Sequence, residues 1–145
     1  MPYSEKVNEL FSSQLNEWEL ARSNYNQLAV VKTRSLDYGS FKILVQFNPE
    51  RIISSAAKVD AKSIESRPCF LCSANRPSLQ RGVAFEQNLT ILINPFPIFP
   101  RHLTITSEYH IDQRILQNFG TMLLLAEAIP DFVVFYNGPQ CGASA

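Results

Sequence analysis

Three prolines at positions 95, 97 and 100 separate the apolar run Leu89 to Ile93 from the alternating run His102 to Thr106. Proline fixes φ and has no N–H to give to a ladder, so one strand ends at Ile93 and another starts at His102. The stiff corner between them, Asn94-Pro95-Phe96-Pro97-Ile98-Phe99-Pro100, sets two neighbouring strands side by side. Phe96 and Phe99 have no strand of their own. Their rings either fill the core or wall a ligand pocket, and composition alone does not separate the two.

The remaining pattern fits around that pair. Val7, Leu10, Phe11, Leu15, Trp18, Ala21, Tyr25 and Leu28 step by threes and fours and predict one amphipathic helix. Its stripe is expected to lie on the flat apolar surface that follows at once in the chain. Strands are expected over Leu28 to Thr33 and Phe41 to Phe47, joined through Asp37-Tyr38-Gly39-Ser40, with Gly39 free to take the positive φ of a hairpin. From Asn48 to Arg67 the pattern reads as connection. Ile111, Ile115, Leu116, Phe119, Met122, Leu123, Ala126 and Ile129 predict a second helix, stopped by Pro130. Gly120 within it suggests close packing of another element. Phe132 to Tyr136 reads as the last strand. The order of elements predicts an α+β fold, an antiparallel sheet with packed helices, in a single domain over residues 1–145, with the N-terminal helix and hairpin (4–47) packed on the rest.

A chain of 145 residues has the length of one domain with a real core. Thirteen basic and 13 acidic residues balance, so no excess field recruits nucleic acid or an anionic membrane. No apolar run approaches the ~18 residues of a membrane span, and the N-terminus has no signal pattern, which makes the cytoplasm the expected compartment. Three cysteines, two of them in one Cys-x-x-Cys, do not make a disulfide scaffold, and reduced thiols are expected.

Chemistry concentrates in a few places. Cys69 and Cys72 have the spacing of a metal knuckle, of a redox pair, or of coincidence, and zinc would need two further ligands. His110, taken by itself, reads as a surface histidine capping the helix after it. His102 reads as a half-buried imidazole bonded to a backbone carbonyl. Arg101 either balances phosphate charge or pairs with a carboxylate. The end of the chain, Tyr136-Asn137-Gly138-Pro139-Gln140-Cys141-Gly142-Ala143-Ser144-Ala145, is rich in small residues. Such a segment presents bare backbone N–H groups to an anion, or simply turns.

Taken together, Arg67-Pro68-Cys69-Phe70-Leu71-Cys72, Asn94 through Ile105, His110, and Asn137-Gly138-Pro139 through Gly142-Ala143-Ser144 resemble the histidine-triad superfamily. The likeness is to its nucleotidyltransferase and diadenosine-tetraphosphate phosphorylase branch and spans residues 67–145. It implies a structural zinc on Cys69, Cys72 and His110, with a fourth ligand beyond Ala145. It also implies a nucleotide site with Asn94 near the ribose, Phe96 near the base, and Arg101, Asn137, Gly142, Ala143 and Ser144 on the phosphates. The implied substrate is a dinucleotide polyphosphate or nucleotide sugar, the implied acceptor phosphate or a second phosphorylated substrate, and many relatives pair as homodimers. In that branch the nucleophile lies in a His-x-His that follows the Gly-Ala-Ser, so residues 1–145 alone are expected to be inactive. A non-enzymatic nucleotide-binding or zinc-stabilised interaction module is the alternative.

Overall fold

The computed structural model describes residues 1–51, 60–86, 88–112 and 114–138. Among them no helix is long and apolar enough to cross a membrane. The expected first helix is two: α1 (Tyr3–Glu17) and α2 (Glu19–Leu28), parted at Trp18, whose φ of −110° and ψ of 97° are extended. Burial of the indole accounts for the break. Trp18 packs with Leu10, Phe11, Ala21 and Ile93, and Arg22 Nη1 donates to the carbonyls of Leu15 (3.4 Å) and Asn16 (2.8 Å), which the break leaves without helical partners. Gln14, fully buried, is satisfied on both sides: its Nε2 donates to Leu79 O (2.9 Å) and its Oε1 accepts the Arg81 N–H (2.9 Å). A buried amide left unpaired would be costly, and this one ties α1 to the loop ahead of the main sheet.

The hairpin starts later than expected. Leu28 closes α2 because it belongs to the helical stripe, and the strands are β1 (Lys32–Asp37) and β2 (Lys42–Phe47), paired antiparallel from Lys32↔Phe47 to Asp37↔Lys42. Gly39 takes φ 79° at the turn, and Asp37 Oδ1 accepts its N–H (2.9 Å). The helical stripe does not rest on this hairpin, whose Leu44 and Phe47 are 67% and 63% exposed. It rests on a second sheet further along the chain. The connecting segment also holds more structure than its composition suggests, since α3 (Ala61–Ser66) is capped by Asp60, whose carboxylate accepts from the N–H (3.0 Å) and hydroxyl (2.7 Å) of Ser63.

That second sheet has the order β3-β4-β5, all antiparallel: β3 (Gly82–Phe85), β4 (Leu89–Ile93) and β5 (Leu103–Ser107). The proline corner joins β4 to β5 as expected, whereas β3 had no counterpart in the sequence reading. Phe85 and Ile91 pack with Val7, Leu125 and Ile129, and Ile93 with Leu10, Phe11, Trp18 and Ala21, so both helices lie on one face of this sheet. Each large side chain buried there contributes about 1.5–3 kcal/mol.

The last helix, α4 (Ile115–Ala128), begins one turn later than its periodicity suggests, because Arg114 is extended (φ −128°, ψ 117°) and the chain ahead of it reaches toward Cys72. Only its C-terminal end is buried: Leu125 joins the core, while Leu116 is 89% exposed. Among the described residues an added Cβ at Gly120 would find no neighbour within 4 Å, so the expected close packing is not seen there. Gly120→Ala is therefore expected to stabilise the fold by about 1 kcal/mol through backbone entropy alone, read as a raised urea midpoint at unchanged slope.

The stretch Phe132 to Tyr136 belongs to no strand of either sheet. Its side chains alternate as a strand's do, with Phe132 and Val134 packed against the core. Its side chains meet the corner: Arg101 lies 4.4 Å from the Phe132 ring and His102 6.3 Å from that of Phe135.

Candidate functional site

Residues 67–80 form a tight loop closed by its own backbone. Cys72 donates to Cys69 O (3.2 Å), Asn75 donates to Cys72 O (2.9 Å), and the Asn75 amide donates to Cys69 O as well (2.9 Å). On the other side β5 ends at Ser107 and the chain turns, with Tyr109 N–H bonded to Ser107 Oγ (3.1 Å). His110 thereby comes to face Cys72, Nδ1 to Sγ 3.1 Å, and the ligand atoms of Cys69, Cys72 and His110 all lie within 4.8 Å of one another. Burial, then the hydrogen bond and charge of Cys69, push the Cys72 thiol up, and the charge of Arg76 opposes them. A bound cation would reverse that order and deprotonate the sulfurs. Two thiolates and an imidazole suit Zn²⁺, which takes such donors at ~2.0–2.3 Å in a tetrahedron with one further ligand.

The proline corner is pinned from three directions. Asn24 Nδ2 donates to Pro95 O (2.8 Å), Arg51 Nη1 to Phe96 O (2.8 Å) and Asn48 Nδ2 to Pro97 O (3.1 Å). Asn94 holds the base of the corner: its N–H donates to His102 O (2.8 Å), its Oδ1 accepts the Phe96 N–H (2.9 Å) and its Nδ2 donates to Thr104 Oγ1 (3.1 Å). Tyr25 OH donates to His102 O (3.0 Å) and accepts the His102 N–H (3.3 Å), and burial raises its own pKa.

His102 sits inside this frame, 8% exposed, with Phe99 edge-on at 5.7 Å and Phe135 stacked at 6.3 Å. Burial, and secondly the Arg51 charge, lower its pKa to about 4. A neutral ring then lets Nδ1 accept the Ile98 N–H (3.4 Å). The expected bond to a carbonyl is thus reversed: the ring accepts from a backbone N–H.

Residues 10–145 match a family described as a domain of unknown function, DUF4922. The chain belongs to the DUF4922 family. No curated protein and no solved structure matches it.

Within this DUF4922 chain the residues singled out in the sequence fall into two groups. Cys69, Cys72 and His110 converge. His110 does not cap a helix, since α4 starts only at Ile115. Asn94 and Phe96 lie on the corner, where the Asn94 amide serves the corner's own hydrogen bonds. Among the described residues Arg101 pairs with no carboxylate: it donates to Asn8 Oδ1 and lies over the Phe132 and Phe11 rings. Asn137 is exposed on the stretch that follows α4, while Gly142, Ala143 and Ser144 lie outside the described residues. Asn24, Asn48, Arg51 and Arg76 were not anticipated. For Asn24 a signal existed, a polar residue in the helical stripe between Ala21 and Leu28 that needs a buried partner. For the other three no local pattern marks the partner.

Proposed function

We propose that this chain carries the nucleotide-holding part of a nucleotidyltransferase or phosphorylase of the histidine-triad kind, stiffened by a structural zinc on Cys69, Cys72 and His110. The observation that carries the reading is the meeting of two distant segments. Asn94, Phe96 and Arg101, to which the resemblance assigns nucleotide contacts, lie on or beside the corner, and the stretch that leads from α4 to Asn137 passes it, with the Phe99 and Phe135 rings 6.1 Å apart. A corner pinned by hydrogen bonds suits a base, because a pre-ordered site loses little entropy on binding. Zinc would pin the Cys loop to the segment after β5.

In the proposed reaction an imidazole nitrogen attacks the α-phosphorus, and the leaving phosphate oxygen departs with the electron pair of the broken P–O bond. A phosphate oxygen then displaces the histidine. Neither described histidine suits that attack: His102 is buried with Nδ1 engaged by Ile98, and His110 faces Cys72. In the branch that the chain resembles the nucleophile belongs to a His-x-His segment, and residues 1–145 contain no such segment. Within this chain the neutral His102 acts as a positioning residue that holds the corner.

Titrating ¹⁵N-labelled protein with AMP tests the ligand reading. Shifts are expected in Asn94 to His102 and from Phe132 onward; shifts confined to α1 or the β1–β2 hairpin would count against it. Metal analysis of protein purified without chelator is expected to give about one zinc per chain. Well under half an equivalent, with Cys69→Ser leaving thermal stability unchanged, would remove zinc from the reading. Zinc uptake without any nucleotide response would favour the metal-stabilised interaction module.

A further inference from the structure

Cys69 and Cys72 stand on a loop, and His110 stands after a strand, so the cluster exists only while loop and strand keep their relative position. Arg76 spans the two. Its Nε–H donates to the carbonyl of Leu71, the residue ahead of Cys72 (2.8 Å), and its Nη2 donates to Thr106 Oγ1 on β5 (3.0 Å). Thr106 is buried, and its hydroxyl donates in turn to Thr90 O on β4 (3.5 Å), which fixes the rotamer that faces Arg76. From Thr106 the chain runs through Ser107, Glu108 and Tyr109 to His110, with the Glu108 N–H anchored on Asn88 O (2.8 Å) and Thr90 Oγ1 donating to Glu108 Oε1. One planar guanidinium therefore holds the backbone beside the second sulfur and the strand that delivers the imidazole.

We infer that Arg76 is a positioning residue for a divalent thiophilic cation, setting His110 against the two cysteines by bridging Leu71 O and Thr106 Oγ1. The inference rests on the metal reading above. The fork matters as much as the charge. Nε and Nη2 leave the guanidinium in fixed directions from one rigid plane and so fix a distance between the two groups they hold. An ammonium at the end of a flexible stem keeps the positive charge but fixes no such distance. The residue touches no metal; it acts on the ligands, as outer partners of metal sites do.

The test uses Zn²⁺, measured by competition with a chromogenic chelator, and Co²⁺, whose visible bands report a tetrahedral thiolate site. Arg76→Lys and Arg76→Ala are each expected to weaken Zn²⁺ binding about 10–100-fold and to weaken or shift the Co²⁺ bands, with the far-ultraviolet dichroism unchanged. Thr106→Val, which removes the acceptor on β5 while keeping the shape, is expected to weaken binding in the same direction and to add little when combined with Arg76→Ala. Binding and Co²⁺ bands equal to the parent's in Arg76→Ala would overturn the inference. A lysine variant that matches the parent while the alanine variant is weak would overturn it too, by making charge rather than the fork the cause. If Arg76→Ala fails to fold, Thr106→Val decides: parent-like affinity and bands there refute the bridge. A parent protein that takes up neither cation refutes the metal reading itself, and with it this inference.

Discussion

Gly82→Val is expected to destabilise the fold by about 3 kcal/mol or more, against about 1–3 kcal/mol for Gly82→Ala. Gly82 pairs with Leu92 across β3 and β4, and the back of this sheet comes so close that an added Cβ would stand 2.3 Å from Thr90 Cγ2, 2.8 Å from Leu92 Cδ2 and 3.1 Å from Ile91 O. Glycine in a strand normally costs about 0.5–1 kcal/mol relative to alanine through backbone entropy, so on propensity alone the substitution would help. The clash decides otherwise. Leu92 is buried with little room to turn, and the Ile91 oxygen is backbone. Thr90→Ser deletes the methyl that is nearest and keeps the hydroxyl that serves Glu108. Added to Gly82→Ala, it is expected to recover part of the loss, and strict additivity of the two substitutions in urea unfolding would show that the Thr90 contact is not the cause.

Gly82 also marks where the sequence stops being legible. The corner was readable because proline acts locally: three residues without an N–H end a strand wherever they stand. The α+β class followed from periodicities of the same local kind. β3 was not readable, since four residues ending in Phe85 carry too short an alternation, and the need for glycine at 82 arises from Thr90 and Leu92 on another strand. Trp18 belongs to the same class of miss. Its spacing fits the helical stripe, and only the depth of the indole among Leu10, Phe11 and Ile93 breaks the helix there. The stretch after α4 shows the reverse: a strand's alternation is legible in it, yet it belongs to neither sheet, because sheet membership depends on which edge lies alongside.

The candidate site divides in the same way. Residue type and spacing nominated Cys69 and Cys72, the family resemblance added His110, and the ligand atoms of the three lie within 4.8 Å of one another. The groups that hold the corner are asparagines and an arginine whose partners are the backbone carbonyls of Pro95, Phe96 and Pro97. A carbonyl carries no sequence signature, so nothing in residues 94–100 announces that Asn24, Asn48 or Arg51 will reach them. The same silence covers Arg76.

Lowering the pH from 7 toward 4 is expected to remove roughly 3 kcal/mol of stability through His102 alone. The folded pKa is about 4 and the ordinary value 6.5, a gap of about 2.5 units, and each unit is worth about 1.4 kcal/mol. The folded value is the lower one, so above pH 6.5 the ring is neutral in both states and stability is flat. Between 6.5 and about 4 the unfolded chain binds a proton that the fold refuses, and stability falls with pH until the folded ring protonates as well. Burial is the larger cause and the Arg51 charge the second, with Phe99 and Phe135 closing the ring's faces. Asp37, held low by the Gly39 N–H and then Lys42, and Asp60, held low by Ser63, lose their contributions only below this window. His102→Asn can keep an acceptor for the Ile98 N–H, and it is expected to flatten the decline between pH 6.5 and about 4.5 while lowering stability at pH 7. Urea midpoints of the two proteins, both in chelator so that metal release plays no part, give the comparison. Parallel pH profiles would mean that the imidazole exchanges protons as freely folded as unfolded, and the corner would then be far looser than its hydrogen bonds imply.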